Sequence, residues 1–333
     1  MKNAINFQVR FNQILSDHVP SNLSVAREIS ELLDISLDST YRRLRNETEY
    51  TFNEVSAISN HFGIPFESLG NSQTNLVTFK INLLNNDIDS YLKYLQNILI
   101  NIERLSHIED ARIIIAAEDI PVFYHFIAPE LMQFKMIYWL KSLMNVTDFQ
   151  FKNFESIVIP EEIVKTARQI NQYYEKIEST EIWTNETILS TLKQLKFYWD
   201  AGFFSKPETA FMILDDFEST IKNIQKNADI GFKYLQNGTL TNVKFQFFVS
   251  DVMIGTNSIL AKTNTFSATY ISYSTFNFMQ TTNEAFNHQN ENWLNNILSK
   301  STLMSGVSEK QRNQFFKNIH KQIQEMRVYF ENN

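Results

Sequence analysis

Ile29-Ser-Glu-Leu-Leu-Asp34-Ile-Ser36-Leu-Asp-Ser-Thr-Tyr-Arg-Arg-Leu-Arg45 is the stretch around which the chain is organised. Ile29, Leu32 and Leu33 share one helical face, and a three-residue corner, Asp34-Ile35-Ser36, follows. Ser36 is a good N-cap, because its hydroxyl accepts from the exposed amides of the next turn. The helix it opens packs inward through some of Leu37, Thr40, Tyr41 and Leu44, and carries Arg42, Arg43 and Arg45. Thr51-Phe-Asn-Glu54 is a capping box that starts another helix through Val55, Ile58 and Phe62. Gly63 can take the left-handed position that ends it. Two helices joined by a tight corner, the second rich in arginine, form the frame of a helix-turn-helix DNA reader.

With those residues in view, Ile29 to Leu69 resembles the Cro/C1-type helix-turn-helix family without gaps. Ser30 stands at the small position of the first helix, and Gly63-Ile64 to Leu69 matches the closing Gly-Ile-x-x-x-x-Leu. The Tyr-Arg-Arg-Leu-Arg helix is more closely similar to flavobacterial regulators with a long, poorly characterised C-terminal region. The resemblance implies DNA binding by the N-terminal part only. Two departures stand out: Asp34 replaces the usual corner glycine, and Arg43 replaces an apolar residue in mid-helix. The rotation of the helix is therefore open, with Tyr41 and Leu44 facing the core in one setting. Residues 38, 39, 42 and 45 share the face opposite Leu37, Leu44 and whichever of Thr40 and Tyr41 turns inward. The expected DNA-contacting set is Ser36, Asp38, Ser39, Tyr41, Arg42, Arg43 and Arg45, with Arg42 reading bases and Arg45 gripping phosphate.

Charge limits this reading. The chain of 333 residues carries a net charge of −7, and residues 1–72 hold six basic residues against nine acidic ones. Affinity from phosphate neutralisation is correspondingly small, so the arginine cluster must act locally and be doubled by dimerisation. A source of dimers follows at once. Val77, Ile81, Leu84, Ile88, Tyr91, Leu95, Ile98, Ile102 and Leu105 are spaced alternately by four and three. That is coiled-coil register, and Leu92 and Leu99 widen the apolar stripe. The same spacing also fits a helix buried along the core of its own chain.

Farther on, Ile113 to Ala117 reads as a buried strand, and Pro129-Glu130, Pro160-Glu161 and Pro207-Glu208 as helix starts. Strand-like alternation returns at Val243 to Val249, Ile259 to Thr263 and Ala268 to Thr275, before two closing helices. The expected fold is mainly α. A five-helix helix-turn-helix domain (1–72) leads to a coiled-coil-like dimerisation helix (73–108). A helical region with a small α+β sheet follows (109–333).

Chemistry is sparse. With no cysteine, thiolate zinc sites and cysteine nucleophiles are excluded. The seven glycines form no phosphate loop or nucleophile elbow, and the six histidines show no metal-binding spacing. No catalytic residue, metal or cofactor is expected. The aromatic clusters Phe123 to Phe126 and Phe197 to Phe204 are candidate pocket walls, with Tyr124, His125 and Trp199 as the polar-tipped members. Their alternative role is to fill core. No secretory leader or membrane span is read, so a cytoplasmic protein is expected. The leading expectation is a dimeric transcriptional regulator that binds double-stranded DNA and senses a small-molecule or peptide effector. An interaction scaffold that has lost DNA binding, or an enzyme tethered to a DNA-binding domain, is the alternative.

Overall fold

The computed structural model describes residues 7–18, 24–64 and 76–333. The chain divides into two compact units, 1–79 and 80–333.

The first unit contains α1 (Phe7–His18), α2 (Val25–Leu33), α3 (Leu37–Leu44) and α4 (Phe52–Phe62). The expected fifth helix, ending near Leu69, lies outside the described residues. Phe11, Leu15, Ile29, Val55, Ile58 and Ile64 form its core. Asp34 makes the corner in the left-handed region, φ 52°, which a short polar side chain tolerates. Ser30 braces the turn by donating its hydroxyl to the Ile35 carbonyl at 2.6 Å. Ser36 caps α3, and Thr51 with Glu54 completes the capping box of α4.

The second unit is α/β, which corrects the expectation of a mainly α chain with a small sheet. In chain order, β1 (Lys80–Ile81) precedes α5 (Ile88–Ser106), β2 (Arg112–Ala116), α6 (Pro129–Ile137) and α7 (Glu161–Tyr174). Next come β3 (Glu178–Trp183), α8 (Leu189–Asp200), α9 (Pro207–Ile230), β4 (Phe232–Tyr234) and β5 (Leu240–Val249). The chain closes with β6 (Ser258–Lys262), β7 (Ser267–Ser272), β8 (Phe278–Thr281), α10 (Glu284–Leu298), β9 (Thr302–Leu303) and α11 (Glu309–Asn332). The sheet runs β1-β8-β7-β6-β2-β3-β5-β4, with β9 also on β5. β2 pairs with β3, and β3 with β5, in parallel; the other pairs are antiparallel. Parallel neighbours need long crossovers, and here α6 with α7, then α8 with α9, supply them.

Both sheet faces are covered. Ile113, Ile115, Trp183, Phe245 and Phe247 join the large core built with most of the helices. Ile114, Ala116, Ile182 and Leu260 pack with Leu294 and Ile297 of α10 on the opposite face. A strand buried on both faces reads as a continuous apolar run, as β2 does.

The helix expected over 73–108 is shorter than its apolar pattern. Asp87 caps α5 by accepting from the Ser90 amide at 2.6 Å, so the helix begins at Ile88. Ile81 instead lies in β1, and Leu84 precedes the helix. Tyr91, Tyr94, Leu95, Ile102 and Leu105 are buried in the core of their own unit. The heptad-like spacing was that of a helix lying on a core.

Candidate functional sites

On α3 the rotation left open by the sequence is resolved. Thr40 is fully buried and Tyr41 is exposed. Leu37, expected to pack inward, is 49% exposed. Leu37, Asp38, Tyr41, Arg42 and Arg45 therefore face outward together. Ser36 and Ser39 serve the start of the helix: the Ser36 Oγ accepts from the Ser39 amide at 3.2 Å. The far end is tied down by α1. Asn12 donates Nδ2 to the carbonyls of Arg43 and Leu44 at 3.0 and 3.1 Å, and Gln8 donates Nε2 to Arg43 at 3.0 Å. Secured at both ends, α3 holds its outward side chains on a rigid rod.

The three arginines have different surroundings. Arg43 turns back, donating to Glu54 Oε1 at 2.9 Å and to the Ser39 carbonyl. Burial works against the ionised Glu54, but the Thr51 amide and Arg43 outweigh it and keep its pKa below the ordinary value. Arg43 is a clamp between α3 and α4, not an outward contact. Arg45 is exposed and pairs with Glu47 through two hydrogen bonds, at 2.8 and 3.1 Å. Arg42 is exposed and has no ion-pair partner among the described residues. Arg43→Ala is expected to destabilise the first unit by about 1–2 kcal/mol, since a charged, partly screened pair is lost. Urea denaturation of the first unit followed by circular dichroism measures this; an unchanged midpoint would remove the clamp role.

The second unit contains a polar centre that the sequence did not reveal. Ile115 and Phe247 flank Glu181 in register across β2, β3 and β5, so a carboxylate sits in the core, fully buried. Glu181 Oε1 accepts from the Tyr124 hydroxyl at 2.6 Å and from the Tyr174 hydroxyl, and Oε2 accepts from Trp183 Nε1 at 2.9 Å. Burial raises its pKa, opposed by the tyrosines, Lys233 and Trp183. Lys233 on β4 is also buried; its Nζ donates to the Tyr174 and Ile177 carbonyls at 2.9 and 2.7 Å. It lies 3.7 Å from the centre of the Tyr174 ring. Burial lowers this ammonium to about 7, against the pull of Glu181, Glu175 and Glu178.

This centre lies beneath a cavity of about 270 Å3 between the end of α7, the end of α9 and β4. Tyr124 is among its walls. His125 and Trp199 do not join it. His125 lines a separate space of about 20 Å3 with Trp139 and Phe276, and neither ring nitrogen has a hydrogen-bond partner among the described residues. Burial, assisted by nearby Lys135, drives its pKa well below the ordinary value. Trp199 stacks on Phe330 at 4.6 Å and fills core. Glu175, Lys226 and Lys233 carried no local sequence signal, because the end of α7 meets the α9–β4 segment only in the fold, about fifty residues farther along the chain. Among the described residues no group of side chains is arranged to hold a metal, and no helix is long and apolar enough to cross a membrane.

Compared with protein-family models, curated proteins and solved structures, the chain matches none of them.

Proposed function

We propose that the chain is a dimeric, sequence-specific DNA-binding transcriptional regulator of the cytoplasm. Its first unit reads DNA, and its second unit senses an effector. The observation that carries this reading is the outward face of α3: Asp38, Tyr41, Arg42 and Arg45 exposed on a helix anchored at both ends. A short, rigid helix led by polar side chains and arginine suits the major groove, which is wide enough to admit one helix. The reading assigns no catalytic step to the chain. The stripe of α5 is spent on its own core, so dimer formation is proposed through another surface.

Selection of bound sequences from a random DNA pool by the purified full chain tests the reading. An inverted repeat is expected, with half-sites separated by about 34–36 Å, one turn of the duplex. A pool that yields no enriched sequence sinks it. A second reading then takes over, favoured by the acidic first unit and by Leu37 and Tyr41, which are 49% and 47% exposed. On that reading the same face is a docking surface for another protein.

A further inference from the structure

We propose that the cavity between α7, α9 and β4 binds a free α-amino acid with a large apolar side chain. Its effect on DNA rests on the regulator reading; its binding does not. At about 270 Å3 the cavity lies just below the range of drug-sized pockets, which begins at about 300 Å3. It therefore suits a small metabolite.

The walls sort into three kinds. Glu175, at the end of α7, presents a half-buried carboxylate with no ion-pair partner among the described residues. Burial raises it to about 7 despite the Gln236 amide, Lys233 and Lys176, so a further positive charge beside it is favourable. A ligand ammonium supplies that charge. Lys226, exposed on the same lining, holds its ammonium 3.7 Å from the centre of the Tyr234 ring and likewise has no carboxylate partner among the described residues. A ligand carboxylate supplies one. Half-buried Ile127 and Leu235, backed by fully buried Ile224, give the lining apolar surface for a side chain. A carboxylate and an ammonium without ion-pair partners among the described residues, on one lining with apolar side chains, complement a zwitterion with a hydrocarbon tail. The deeper charges leave no such demand: Glu181 already accepts three hydrogen bonds, and Lys233 donates to two carbonyls.

Calorimetric titration of the full chain with leucine, isoleucine, valine, methionine, phenylalanine, tyrosine and tryptophan tests the proposal. At least one is expected to bind. Its analogues lacking the amino group or the carboxylate are expected to bind about tenfold more weakly or worse. Glu175→Gln and Lys226→Met, with unchanged melting, should each weaken the parent by a similar factor. The proposal is overturned if none of the seven binds at millimolar concentration, or if both analogues bind as well as the parent. Unchanged affinity in both variants also overturns it. DNA affinity measured on the same preparation separates the two readings. Intact binding to the selected site with no amino-acid binding sinks this inference alone. Amino-acid binding by a chain that selects no DNA upholds the cavity and sinks the regulator.

Discussion

Replacing Glu181 with alanine is expected to lower the unfolding free energy of the 80–333 unit by about 3–5 kcal/mol, the usual loss when a buried charge arrangement is broken. The residue sits in the core, where any carboxylate is costly, yet it is the shared acceptor for Tyr124, Tyr174 and Trp183. Alanine leaves three buried donors without an acceptor, at about 1–3 kcal/mol each, partly offset by release of the carboxylate from burial. It also takes away a negative charge that favours the Lys233 ammonium, already lowered to about 7 by burial. Glutamine keeps one oxygen for the tyrosines and turns an amide toward Trp183, so about 1–2 kcal/mol is expected for Glu181→Gln. Tryptophan fluorescence during urea denaturation reads the effect cleanly. All four tryptophans, Trp139, Trp183, Trp199 and Trp293, lie in this unit. An alanine variant within about 1 kcal/mol of the parent would show that the centre does not hold the fold together.

The same residue explains why the sheet was not legible in the sequence. A central parallel strand ordinarily announces itself as an apolar run, as Ile113-Ile114-Ile115 does. β3 begins Glu178-Ser-Thr-Glu181 and looks like a loop. Its buried carboxylate is made tolerable by hydroxyls 57 and 7 residues away in the chain, a solution no local pattern displays. Without β3 nothing links β2 to β5, and the remaining strands look like a small separate sheet. The corner of the first unit was legible for the opposite reason. Ser36, Thr51, Glu54 and Gly63 act on backbone groups within a few residues of themselves, so spacing alone announces them. The α5 stripe shows the limit of spacing: alternating fours and threes record one apolar face, not what covers it. Only Asp87, a cap in the middle of the pattern, marked where the helix begins.

Arg42→Ala is expected to weaken a dimer on its selected site by about 2–6 kcal/mol, one base contact of roughly 1–3 kcal/mol being lost in each half-site. The outward guanidinium of Arg42, without an ion-pair partner among the described residues, is available to hold guanine O6 and N7 together, so the preference at one base pair should relax as well. Arg45 should behave differently. It must first leave Glu47, which engages it through two hydrogen bonds, and phosphate is the stronger rival for that exchange. Arg45→Ala should then weaken all sequences alike and flatten the salt slope by about one for each arginine removed. Glu47→Ala, which frees Arg45 beforehand, should tighten binding to selected and unselected DNA by the same factor. Titrations of the parent and the three variants against selected and scrambled duplexes, at two salt concentrations, separate these effects. If both Arg42→Ala and Arg45→Ala bind as the parent does, α3 does not face DNA, and its exposed Leu37 and Tyr41 belong to a protein interface instead.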